Sequence, residues 1–126
     1  MKKILLSYFV ILCALHTDAQ VSLTSSPYTE NFDNIGSGLP AGFSVYTGAT
    51  TPTSIGSAAT FSSTKTPWAT TTAGYYNCAS ANSLTNASDA VQQENSPNRA
   101  LAVRQTASFG NPGAAFVFRI TNTTNK

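Results

Sequence analysis

Apolar and polar side chains alternate along several short stretches of this chain. In "GFSVYTG", 42–48, Phe43 and Val45 fall on one side and Ser44 and Tyr46 on the other. "AGYYNCAS", 73–80, sets Tyr76 and Cys78 opposite Tyr75 and Asn77. In "RALAVRQTASFGNPGAAFVFRI", 99–120, Leu101 and Val103 share a face and Arg104 takes the other. Ala114, Phe116, Phe118 and Ile120 then make an apolar stripe, with Ala115, Val117 and Arg119 behind it. "YTENFD", 28–33, reads as one more strand, Tyr28, Glu30 and Phe32 against Thr29, Asn31 and Asp33. A pleated strand turns successive side chains to opposite faces, so these alternations predict sheets with one dry side.

Helical periodicity is scarce. Apolar residues do not recur at i, i+3, i+4 and i+7 over a useful window, and Gly, Pro, Asn and Ser interrupt each candidate. Residues 84–94, "LTNASDAVQQE", come nearest and read as a short surface helix or a loop. Turn chemistry sits in "NIGSGLPAG", 34–42, and in Asn111-Pro112-Gly113, where glycines can take positive φ and prolines fix it. The latter makes 99–120 read as two strands joined by a turn, with Arg99, Arg104 and Arg119 on the wet face. Residues 49–72 are looser, with Phe61 and Trp68 expected to pin them to the core.

Short strands between such turns predict an all-β fold, a jelly-roll-like β-sandwich over residues 28–126 preceded by a lead-in at 20–27. The stripe ending at Ile120 wants a neighbouring strand on each side. The sandwich is therefore expected to be incomplete, the front part of a longer protein.

The first nineteen residues change the picture of compartment. Lys2 and Lys3 precede an apolar run from Ile4 to Leu15, and Thr17 and Ala19 occupy the small-residue positions of a cleavage site. That is the plan of a secretory signal peptide over 1–19, too short to span a bilayer. A secreted or outer-surface location follows as the expectation, with no membrane span after cleavage. The cut removes His16, the single histidine, and leaves Cys78 as the one thiol, so no intramolecular disulfide can form. Cys78, in an aromatic and small-residue setting, is expected to be buried and inert.

Beyond Ala19 five basic side chains face four acidic ones, a balance of +1. No cluster of Lys and Arg offers a nucleic-acid surface. Without His, neither a Ser-His-Asp nor a Cys-His pair can form, and an enzyme is not expected. Glu30 and Asp33, three apart on a strand, would point to opposite faces, which is poor geometry for an acid/base pair. Their other reading is calcium: "ENFDN" supplies Glu30, Asn31, Asp33 and Asn34 as oxygen ligands, without the rhythm of a dedicated loop. No other cofactor is expected. Trp68, Tyr75 and Tyr76, with Tyr46, are the aromatics that could stack on sugar rings, against the plainer alternative that each is core.

The stretches "YTENFDNIGSGLPAGFSVYTGA" and "NRALAVRQTASFGNPGAAFVF" resemble the N-terminal module of exported Bacteroidetes-type proteins, many of them cargo of type IX secretion. The pattern "ENFD…LPAGF" is also loosely similar to the opening of cleaved-adhesin and MAM-like jelly-roll modules. That resemblance spans most of 28–118. It implies a carboxylate near the first strand that helps hold calcium, a place Glu30 and Asp33 match approximately. The expected function is a non-catalytic binding or structural module, adhesin-like or carbohydrate-contacting, with a polysaccharide or surface protein as partner. The alternative is the accessory N-terminal region of an exported hydrolase or nuclease.

Overall fold

A computed structural model describes residues 20–24, 27–85 and 87–123. Residues 1–19, expected to be a signal peptide, and residues 25–26 of the expected lead-in lie outside the described residues. Among the described residues eight strands form: β1 (Val21–Leu23), β2 (Phe43–Thr47), β3 (Ser57–Ala58), β4 (Phe61–Lys65), β5 (Gly74–Ala79), β6 (Arg99–Arg104), β7 (Ala114–Phe118) and β8 (Ile120–Asn122). One short helix, α1 (Ala90–Asn95), and two 3-10 turns at Ile35–Ser37 and Ala81–Ser83 accompany them. The fold is all-β, as the alternating pattern predicts. None of the described helices is long and apolar enough to cross a membrane.

The strands pair as three sheets, β3-β2-β7, β4-β5-β6 and the two-stranded β1-β8. β2 runs antiparallel to β7, with Phe43 opposite Phe118 and Val45 opposite Phe116, so these aromatic and branched side chains share a face. β5 runs antiparallel to β6, with Tyr75 opposite Val103 and Asn77 opposite Leu101. Tyr75, Asn77, Arg99, Leu101 and Val103 therefore lie on one face of the β4-β5-β6 sheet, and Tyr76, Cys78, Ala100, Ala102 and Arg104 on the other. β4 joins β5 in parallel, with an irregular register between Ser62 and Lys65.

Tyr75 ties the two larger sheets together. Its ring meets Phe116 edge-on at 5.3 Å and Phe109 at 5.7 Å between centroids. Its hydroxyl donates to the Tyr46 carbonyl, with the Ala115 carbonyl 3.4 Å away. Only 1% of its surface stays exposed. A ring buried to that degree contributes about 2 kcal/mol by leaving water, and the hydroxyl finds its acceptors inside. Ile35, Val45, Cys78 and Ala79 complete the buried apolar set.

Several expectations need correction. Residues 28–33 are not a strand. Glu30 Oε1 accepts the Phe32 amide at 2.8 Å and Asn31 Oδ1 accepts the Asp33 amide at 3.1 Å, so side chains capture amides that a sheet ladder would need. Phe32 sits at φ 61°, a left-handed conformation that no strand uses. Next, β6 and β7 are not partners: the segment 105–113 carries the chain from one sheet to the other. Finally, Arg99 is not on the wet face but is 4% exposed. The stripe of 114–120 is also drier in pattern than in place, since Phe116 and Ile120 stay 49% and 47% exposed on an edge strand and on β8.

Candidate functional site

The outer face of β5 and β6 is paved with small side chains, Ala100 opposite Cys78 and Ala102 opposite Tyr76. Small floor residues leave a hollow, and the segment before β5 supplies its wall. Pro67 opens a turn closed by the Thr70 amide donating to the Pro67 carbonyl at 3.1 Å. That turn presents Trp68. The Trp68 amide donates to Gln93 Oε1 at 2.7 Å, and its indole Nε1 donates to the Ala79 carbonyl at 2.8 Å. Tyr76 is tied in a similar way, its hydroxyl within reach of the Thr72 and Ala73 carbonyls at 3.0 and 3.1 Å. Gly74 permits this: at φ 156° it lets the Tyr76 ring fold back, and a Cβ there would stand 3.0 Å from Tyr76 Cζ.

Both polar handles thus go to main-chain carbonyls, and the ring bodies line a shallow groove of about 190 Å³ with Cys78, Ala102 and Arg104. Burial pushes the Cys78 thiol above its ordinary range, and the nearby Arg99 charge opposes that less strongly. The thiol is free and buried, and its raised pKa works against thiolate formation. Arg104, the last residue of β6, is exposed at the groove. An aromatic wall with one cation at its margin can stack on an apolar ring face and hold an acidic or hydroxyl group beside it.

Behind the groove lies a buried polar network centred on Arg99. Its Nε donates to Asn77 Oδ1 at 2.7 Å, Nη2 to the Asn77 carbonyl at 2.9 Å, and Nη1 to the Gln93 and Ser96 carbonyls at 2.8 and 3.2 Å. Burial lowers the guanidinium's pKa, the Cys78 and Glu94 charges opposing that. Asn77 Nδ2 donates to the Ser63 carbonyl at 2.9 Å, which ties in β4. Gln93 links this network to the groove, since its side chain holds the Trp68 amide and its carbonyl holds Arg99.

The sequence-predicted residues separate. Trp68 and Tyr76 come together, whereas Tyr75 faces the core, a correction forced by its 1% exposure. Tyr46 lies on the far sheet, its hydroxyl accepting from Arg119 Nη2 at 3.0 Å. Asp33 Oδ1 accepts the Arg99 amide at 2.9 Å, fastening the 28–34 loop to β6. Glu30 holds the Phe32 amide and lies 3.5 Å from the Tyr28 hydroxyl, which it pushes toward a higher pKa after the larger effect of burial. Among the described residues no three His, Cys, Asp or Glu side chains cluster as metal ligands would. Arg104 stands two positions after Ala102 on the same face, the side opposite Leu101 and Val103 that the alternation predicts for it.

Other concavities lie among the described residues. One of about 160 Å³ lies between Leu39–Ser44 and Arg119. The other, an apolar cleft of about 350 Å³, is lined by Phe32, Phe43, Leu101 and Phe116. No family model, curated protein or solved structure matches the chain.

Proposed function

We propose that the chain is a non-catalytic binding module of an exported protein, secreted or held at the outer surface, which contacts saccharide through the Trp68–Tyr76 groove. Its two three-stranded sheets, bridged by Tyr75, are read as layers of a jelly-roll-like sandwich that holds this groove rigid. The supporting observation is that Trp68 and Tyr76 line one groove while their polar atoms are spent on main-chain carbonyls. Rings fixed in that way lose little freedom when a sugar stacks on them. The half-exposed Phe116, Phe118 and Ile120 favour a second reading, an accessory region whose apolar edge meets the rest of an exported hydrolase or nuclease.

A glycan array, run with and without calcium, tests the first reading. Binding to a saccharide class is expected, and Tyr76→Ala should weaken it by about tenfold. An array blank in both conditions, from folded protein, contradicts the proposal. Binding only with calcium, abolished by Asp33→Asn and indifferent to Tyr76→Ala, moves the contact to the 28–34 loop instead.

A further inference from the structure

The groove that Trp68 and Tyr76 wall is not electrically neutral. Its only ionisable cation among the described lining residues is Arg104, and none of those lining residues carries a carboxylate. Register places Arg104 on the same face as Ala102 and Tyr76, so the charge stands beside the aromatic wall and not behind the sheet. The chain's other described arginines are otherwise engaged. Arg99 spends its guanidinium on four main-chain and side-chain oxygens inside the fold, and Arg119 donates to the Tyr46 hydroxyl on the far sheet. Arg104 is instead exposed to solvent at the groove.

We infer that the groove takes an acidic saccharide, and that Arg104 is the residue that selects for its acid group. The inference rests on the saccharide reading above. A guanidinium presents a planar fork of donors that matches a carboxylate or sulfate in two parallel hydrogen bonds. The volume of about 190 Å³ gives room for roughly one sugar ring, with Ala102 opposite Tyr76 keeping the floor open. A sugar ring lies against the aromatic wall and its acid group meets Arg104, so stacking supplies the sequence-blind part of affinity and the fork supplies the preference for charge.

The experiment titrates the full chain with two polymer pairs, polygalacturonate against its fully methyl-esterified form, and dextran sulfate against dextran. Binding is read from the fluorescence of Trp68, the single tryptophan. The acidic member of at least one pair should bind about tenfold more tightly than its neutral counterpart. Which pair shows the preference separates carboxylate from sulfate. Arg104→Gln should erase that preference, bringing the acidic polymer down to the affinity of its neutral counterpart, and Arg104→Lys should keep only part of it. Ala102→Phe, which fills the groove from its floor opposite Tyr76, should abolish the signal. Equal binding of acidic and neutral polymers, untouched by Arg104→Gln, overturns the inference and leaves the saccharide reading standing. Acidic-polymer binding that survives Ala102→Phe also overturns it. Failure of every polymer and every arrayed glycan, acidic or neutral, removes the saccharide reading itself.

Discussion

Arg99 shows what a single position does in this fold. A buried guanidinium is costly to desolvate, and four hydrogen bonds to Asn77, Gln93 and Ser96 offset that cost. Arg99→Met leaves those acceptors without donors and should lower unfolding free energy by about 3 kcal/mol, read from urea denaturation. Arg99→Lys should recover little of it, because an ammonium cannot reach the same acceptors with a fork. Cys78 and Tyr75 carry the pH dependence. Burial raises the folded thiol above its ordinary 9.0 and the folded phenol above its ordinary 10.0. As pH rises, the unfolded chain gives up each proton first, so stability is complete below pH 9 and declines through the alkaline range. The unfolding midpoint should therefore fall above pH 9, and Cys78→Ala should remove the first part of the fall. At neutral pH the thiol should react with Ellman's reagent only after denaturation. The burial of Cys78 was legible in the sequence from its aromatic and small neighbours. The buried Arg99 was not, because its acceptors come from Asn77, Gln93 and Ser96, which no local pattern brings together.

At the scale of elements, local alternation located β2 and β5 within a residue of their observed ends, placed β6 inside the 99–120 stretch, and ran two residues past the end of β7. It failed over 28–33, where polar side chains bond to their own backbone and Phe32 takes a positive φ. It also says nothing about partners. β6 and β7 look like a hairpin in sequence, yet each finds an antiparallel neighbour far upstream, β5 and β2. The helix α1 is held at its start by a capping box, Asp89 accepting the Gln92 amide at 2.7 Å and Gln92 accepting the Asp89 amide at 2.9 Å. Asp89→Ala should cost about 1 kcal/mol. It should also shift Trp68 emission, since α1 carries the Gln93 that holds the Trp68 amide. Gly42 lies where β1 and β8 cross the start of β2. At φ 80°, a Cβ there would stand 2.7 Å from the Arg119 carbonyl and 3.0 Å from Val21 Cγ2. Gly42→Ala should destabilise by several kcal/mol, or about 2 at the least, in the same denaturation assay.

Over the whole molecule, the sheets β3-β2-β7 and β4-β5-β6 present opposite kinds of surface. Between them an apolar cleft of about 350 Å³ is flanked by a chain of ring contacts, Phe32 to Phe43 at 5.1 Å, Phe43 to Phe118 at 4.5 Å and Phe118 to Tyr28 at 4.8 Å. With Phe116 half exposed, this edge should bind an apolar dye such as ANS in the native state, and Phe116→Thr with Phe118→Thr should weaken that signal. The outer face of β5 and β6 instead carries the groove of Trp68, Tyr76 and Arg104. The proposal that the groove binds saccharide is tested most directly by amide and indole chemical shifts during a saccharide titration of isotope-labelled protein. Shifts gathered at the Trp68 indole and at residues 76–78 and 102–104 are the predicted result. Shifts gathered instead at Phe32, Phe43 and Phe116, with the Trp68 indole unmoved at saturation, would contradict it.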